Sequence, residues 1–131
     1  MRPVETLLVA AIASATLACG DGCGNQTLAE YPSPDRQWKV VVFQRDCGAT
    51  TGFSTQASLL PITAALPTGS GNLFVADTNH GVAASGPGGG PEVQVQWEAS
   101  DRVLISRHPG ARVFRAEDER APVKIRYGLL K

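Results

Sequence analysis

Between Glu92 and Glu98 polar and apolar residues alternate without a break: Val93, Val95 and Trp97 fall on one side, Gln94, Gln96 and the two glutamates on the other. A period of two marks a strand with one buried face, because successive side chains of a strand point to opposite sides. The same alternation returns at 53–59, where Phe53, Thr55, Ala57 and Leu59 interleave with Ser54, Gln56 and Ser58, and again at Val123, Ile125 and Tyr127. Short runs at 72–76, 102–106 and 112–116 lie between clusters of Gly, Pro, Asn, Asp and Ser. Val40, Val41, Val42 and Phe43 are apolar without alternation, which calls for cover on both faces and makes 37–45 a central strand. No window carries sustained helical periodicity. The pattern predicts an all-β fold: six to seven short strands in one small antiparallel domain, sandwich-like or strongly curled on itself. Val40, Val42, Val93, Val95, Trp97 and Ile125 are its expected core.

The chain has 131 residues, 43% of them hydrophobic, enough for one core and too few for two domains. Residues 7–17 (LLVAAIASATL) form an apolar run behind Arg2, well short of the ~20 residues that span a bilayer, and so fit a signal peptide. Ala18-Cys19 follows at once, resembling a relaxed bacterial lipobox with Thr16 in the place of the usual Leu and Glu5 in the charged region. The favoured reading is a lipoprotein signal over 1–18, a lipid-anchored tether over 19–34 beginning at the lipidated Cys19, and the β domain over 35–131. An ordinary signal peptide cut after Ala18, giving a soluble periplasmic protein, and a buried N-terminal helix are the alternatives.

Cysteine parity agrees with the first reading. If Cys19 carries lipid, Cys23 and Cys47 are left as an even pair, and an oxidising compartment lets them join. Such a bridge closes a loop of about 25 residues, for which chain entropy predicts roughly 3–4 kcal/mol. Zinc is rejected, since two cysteines and two distant histidines provide no close ligand pair.

The formal net charge is zero, which argues against a general nucleic-acid binder held by phosphate contacts. From Asp101 onward eight basic residues stand against four acids, a balance suited either to solvated strand faces or to anionic headgroups and an acidic partner. In Pro32-Ser33-Pro34-Asp35-Arg36 the prolines set φ and the Asp side chain closes a turn before the central strand. Asn25-Gln26-Thr27 matches the glycosylation sequon, which means little behind a bacterial lipobox.

The succession SPDR-x-WKVVVFQRDCGATTGFSTQ, NLFVADTNHG and GPGGGPEVQVQW resembles a family of small uncharacterised bacterial exported proteins and lipoproteins, over roughly residues 23–127. This chain departs from the family's pattern at Arg36, where a glycine usually completes a Ser-Pro-Asp-Gly turn. The resemblance implies one exported domain and no particular activity. The turn-strand opening also resembles one blade of a β-propeller, a local likeness only at this length.

Three stretches have a composition suited to a site. Asp46-Cys47-Gly48-Ala49-Thr50-Thr51-Gly52-Phe53-Ser54-Thr55 joins two strands through glycines and hydroxyls. Its Gly52-x-Ser54 lacks the second glycine and the following helix of a nucleophile elbow. Asp77-Thr78-Asn79-His80-Gly81 opens like a calcium loop, then has Val82 at the sixth place and Gly88 at the twelfth. Gly86-Pro87-Gly88-Gly89-Gly90-Pro91 is rich enough in glycine to cradle a phosphate, but proline removes donors and no helix follows. His108, beside Pro109-Gly110, reads as an exposed turn residue.

Two functions follow. The first is a non-catalytic envelope protein, anchored by its N-terminal lipid, that binds an envelope partner or small ligand through Thr50, Thr51, Ser54, Asp77, Asn79 and His80. The second is a small hydrolase or transferase using His80 with Asp77, and Cys47 as nucleophile if its thiol is free. The first is favoured, because the motif geometry for the second is missing. No metal and no cofactor is expected.

Overall fold

A computed structural model describes residues 22–48 and 52–131. Cys19, with the signal and tether before Gly22, and Thr50 and Thr51 lie outside the described residues. The rest is all β, in nine strands: β1 (Gly24–Pro32), β2 (Trp38–Asp46), β3 (Ser54–Pro61), β4 (Phe74–Asp77), β5 (Val93–Ala99), β6 (Arg102–Arg107), β7 (Arg112–Ala116), β8 (Glu119–Arg120) and β9 (Val123–Leu129). One sheet runs β1-β2-β3-β4-β7 and the other β5-β6-β9-β8. They face each other as a sandwich around Val40, Val42, Ala57, Leu59, Phe74 and Ala76 of the first and Val93, Val103, Ile105, Val123 and Ile125 of the second.

Four expectations change. Residues 24–32, assigned to the tether, form β1 and pair with β2 from Gly24↔Asp46 to Pro32↔Lys39. β1 is an edge strand, held by backbone bonds to one neighbour, and so needs no apolar run. Together with the two-residue β8 it raises the strand count above seven. The sheets are also not wholly antiparallel: β6 and β9 are parallel. Between them the chain crosses to the first sheet as β7, so it returns in β9 running the way it left. Of the expected core, Val40, Val42, Val93 and Ile125 are buried, whereas Val95 and Trp97 are half-buried and pack against it. They lie on β5, the edge of the second sheet.

The unbroken run in β2 has the two-sided cover it requires. Val40 and Val42 enter the main core, while Val41 and Phe43 join Leu60, Ala64 and Leu66 in a second cluster on the outer face. That cluster is roofed by the connection from β3 to β4. The polar face of β3 therefore points into protein: Gln56 and Ser58 are both 4% exposed. Gln56 Oε1 accepts from Ser70 Oγ at 3.0 Å and Gly71 N at 2.7 Å, and Ser58 Oγ accepts from Asn72 N at 3.1 Å. Buried amides and hydroxyls persist because they supply these bonds. Asn25, the sequon residue, is used in the same way, its Nδ2 donating to Pro67 O and Gly69 O at 3.0 and 2.7 Å.

The Ser33 to Arg36 turn works as its composition predicts. Asp35 Oδ1 accepts from the buried Ser33 hydroxyl at 2.6 Å and from Gln37 N at 3.2 Å, while Arg36 N donates to Ser33 O at 2.9 Å. These bonds hold the Asp35 carboxyl below its ordinary pKa, the Ser33 bond most. Arg36 sits at φ 55°, the left-handed conformation that favours glycine.

Candidate functional site

One transverse row of the first sheet carries two of the candidate residues, Ser54 and Asp77. Asn25 pairs with Arg45, Arg45 with Ser54, Ser54 with Asp77, and Asp77 with Arg112. Beyond this row emerge the β2–β3 connection and the turn after β4. Between them lies a hollow of about 490 Å³ lined by Gly52, Phe53 and Ser54, by Asp77, Thr78 and His80, and by Val75, Arg112 and Phe114. The glycine-rich loop reaches the same place from behind. Gly89 packs on the Phe53 ring and Gly90 on the backbone and hydroxyl of Thr55, whose Oγ1 donates to Pro91 O at 2.6 Å. Phe53 is thus the point where Gly52, the DTNHG turn and the GPGGGP loop meet.

The charges of the hollow are committed to one another. Arg112 Nη2 donates to Asp77 Oδ2 at 2.6 Å and Arg112 Nε to Asp77 Oδ1 at 3.2 Å, a two-pronged pair. Asp77 Oδ1 also accepts from Asn79 N at 2.8 Å, closing the turn that the Asp-x-Asn spacing predicts. The Arg112 bond is the largest cause holding the Asp77 carboxyl below its ordinary pKa, with Asn79 N–H and the charge of His80 adding to it. The Arg112 guanidinium lies over the Phe114 ring, 4.9 Å from its centroid.

The turn after β4 is strained. Asn79, His80 and Gly81 have φ of 53°, 55° and 88°, three left-handed residues in succession, of which only the last is glycine. Ala83 N to Thr78 O at 2.9 Å and Val82 N to Asn79 O at 3.2 Å hold it. His80 is exposed at its tip and makes no hydrogen bond among the described residues. Ser54 Oγ is engaged locally, accepting from Gln56 Nε2 at 2.9 Å and donating to Arg45 O at 3.4 Å. Cys47 is bonded to Cys23, with sulfurs 2.00 Å apart, and carries no thiol. The glycine-rich loop turns its donors inward, Gly86 N to Gly90 O at 2.7 Å and Gly89 N to Gly86 O at 3.1 Å. His108 is half-buried, its Nδ1 accepting from Gly110 N at 2.9 Å within its turn.

Ser54, Asp77 and His80 therefore share a hollow without forming a relay. A nucleophile needs a base within hydrogen-bond reach and the base an orienting group, and here Asp77 orients Arg112 instead. Sequence reasoning missed Val75, Arg112 and Phe114. Their signal was faint: an exposed aromatic beside an arginine in a run that otherwise reads as an ordinary strand. No cluster of three or more His, Cys, Asp or Glu side chains forms among the described residues. No family model matches the chain, no curated protein matches it, and no solved structure matches it.

Proposed function

We propose that this chain is an exported, lipid-anchored bacterial envelope protein that binds a partner at the hollow around Phe53 and performs no catalysis. The observation that carries the reading is a contrast at that site. The groups with chemistry to offer are bound up structurally, Asp77 with Arg112 and Ser54 with Gln56 and Arg45, while the rings of Phe53 and Phe114 stand 42% and 61% exposed. Aromatic rings beside an arginine are the side chains that dominate protein recognition sites. The apolar run 7–17 ending at Ala18-Cys19 supports export and lipidation, and a Cys23–Cys47 disulfide accords with an oxidising compartment.

Two experiments test it. Cys19→Ser is expected to move the protein from the membrane fraction to the soluble one; unchanged fractionation refutes the anchor. A photo-crosslinking residue at position 114 is expected to capture a discrete envelope species in cells, with Phe53→Ser weakening the adduct and a crosslinker at the exposed Gln37 giving none. Equal capture from both positions refutes the site. The hydrolase alternative returns only if a substrate is turned over and His80→Ala abolishes that turnover.

A further inference from the structure

The two sheets do not close along the flank formed by their edge strands, β1 and β5. A cleft of about 430 Å³ enters there, floored by Val42 and walled by Leu28, Ala29 and Tyr31 on one side and Val93 and Val95 on the other. Small-molecule sites occupy roughly 300–1,000 Å³. Three features keep these walls apart. The β1 register shifts between Thr27 and Ala29, a bulge that sets Leu28 and Ala29 together against β2, and both line the cleft. At one end Trp97 Nε1–H donates to Tyr31 O at 2.7 Å, fixing the spacing of the two edges. At the other, Gly88 packs on Leu28, and the Thr55 hydroxyl bonded to Pro91 O holds Pro87 and Pro91 as an end wall. An apolar slot propped open to water gives up burial that collapse would gain, so an occupant is what makes the geometry favourable.

The charge at its mouth narrows the choice of occupant. Among the residues lining the cleft only Glu92 is charged. Its Oε1 accepts from Gln94 Nε2 at 3.1 Å, and no cation among the described residues forms a salt bridge with it. Lys131 lines the adjoining hollow with Glu92 but does not reach it. We infer that the cleft binds a linear apolar molecule ending in an ammonium group, its chain between β1 and β5 and its head at the Glu92 carboxylate. A fatty acid of the same length places a carboxylate against Glu92 and is disfavoured.

The test is calorimetric titration of the full chain carrying Cys19→Ser with dodecylamine, dodecanol and dodecanoate, each below its micelle concentration. Dodecylamine is expected to saturate one site and to bind about tenfold or more tighter than dodecanoate, the worth of one charge-assisted hydrogen bond. Glu92→Gln, at an exposed position where the fold does not depend on it, is expected to bring amine and carboxylate within about threefold while leaving dodecanol unchanged. Ala29→Phe fills the slot and is expected to abolish binding of all three. Absence of saturable amine binding, equal binding of amine and carboxylate to the unsubstituted cleft, or an amine preference that survives Glu92→Gln overturns the inference. So does a concentration-dependent dimer that Ala29→Phe dissociates, since the occupant is then a second copy of the chain.

Discussion

The ring of Phe53 fills the space that a side chain on Gly89 would need: a β-carbon built on Gly89 lies 2.5 Å from Phe53 Cδ2. Through this contact the β2–β3 connection and the glycine-rich loop, far apart in sequence, form one surface. Gly89 also sits at φ 89°, where any other residue is strained. Gly89→Ala is expected to cost about 1–2 kcal/mol from the backbone alone and to swing the Phe53 ring outward. Urea unfolding of Gly89→Ala, Phe53→Ala and the double variant checks this. The double variant should cost less than the sum of the two single variants, because Phe53→Ala removes the clash and leaves only the backbone strain.

Arg36 makes the opposite prediction. It holds the left-handed conformation with its side chain exposed, a backbone position that favours glycine. Arg36→Gly is expected to stabilise the domain by about 0.5–1 kcal/mol, the strain relieved less the added chain entropy of glycine. A lower midpoint in denaturant would show that the Arg36 side chain contributes more than its position costs.

The disulfide joins residues 24 apart in sequence at the open end of the β1–β2 ladder. Replacing Cys23 and Cys47 together by Ala is expected to cost about 3–4 kcal/mol, on the entropy of the loop it closes. Unfolding of the unreduced protein with and without dithiothreitol should show the same loss. Two free thiols by mass spectrometry would contradict the bond.

Acid should loosen the hollow. The Asp77 carboxyl titrates below its ordinary value of 3.8 because its charged form is held chiefly by Arg112. A depressed carboxylate contributes its stability fully above the ordinary value and loses it as pH falls through the folded one. Stability is thus expected to drop below about pH 4. Asp77→Asn should make that drop shallower without removing it, since the carboxyls of Asp35, bonded by Ser33, and Glu98, bonded by Arg126, are depressed as well. An unchanged acid limb for Asp77→Asn would mean the pair with Arg112 adds nothing to folding.

Much of the fold was legible because strands with one buried face announce themselves. Val93 to Trp97 and Val123 to Tyr127 alternate, and the Val40 to Phe43 run needed two layers and has them. β1 was not legible, since an edge strand such as GNQTLAEYP is held by backbone bonds that carry no side-chain signature. Nor was the burial of Gln56 and Ser58, whose polarity reads as solvent exposure until the covering loop is in place. At the site, the Asp77 turn and the cysteine pair could be read from spacing and parity. The packing of Phe53 on Gly89 and the pairing of Asp77 with Arg112 are long-range, set by strand register, and no local pattern encodes them.

The row that pairs Asn25 with Arg45 and runs on to Arg112 also bears on the proposed anchor. The chain enters the domain at that end, beside the loops that shape the hollow. For a protein attached through Cys19, three residues lie between it and Cys23, and the four Cα–Cα steps make a leash that cannot exceed about 14 Å even at full extension. With that attachment the hollow hangs close over the bilayer while the turn at Ser33, at the opposite end of the β1–β2 ladder, points away from it. On the proposed anchoring, a partner for Phe53 and Phe114 comes along the membrane surface, and one confined to the middle of the periplasm is out of reach.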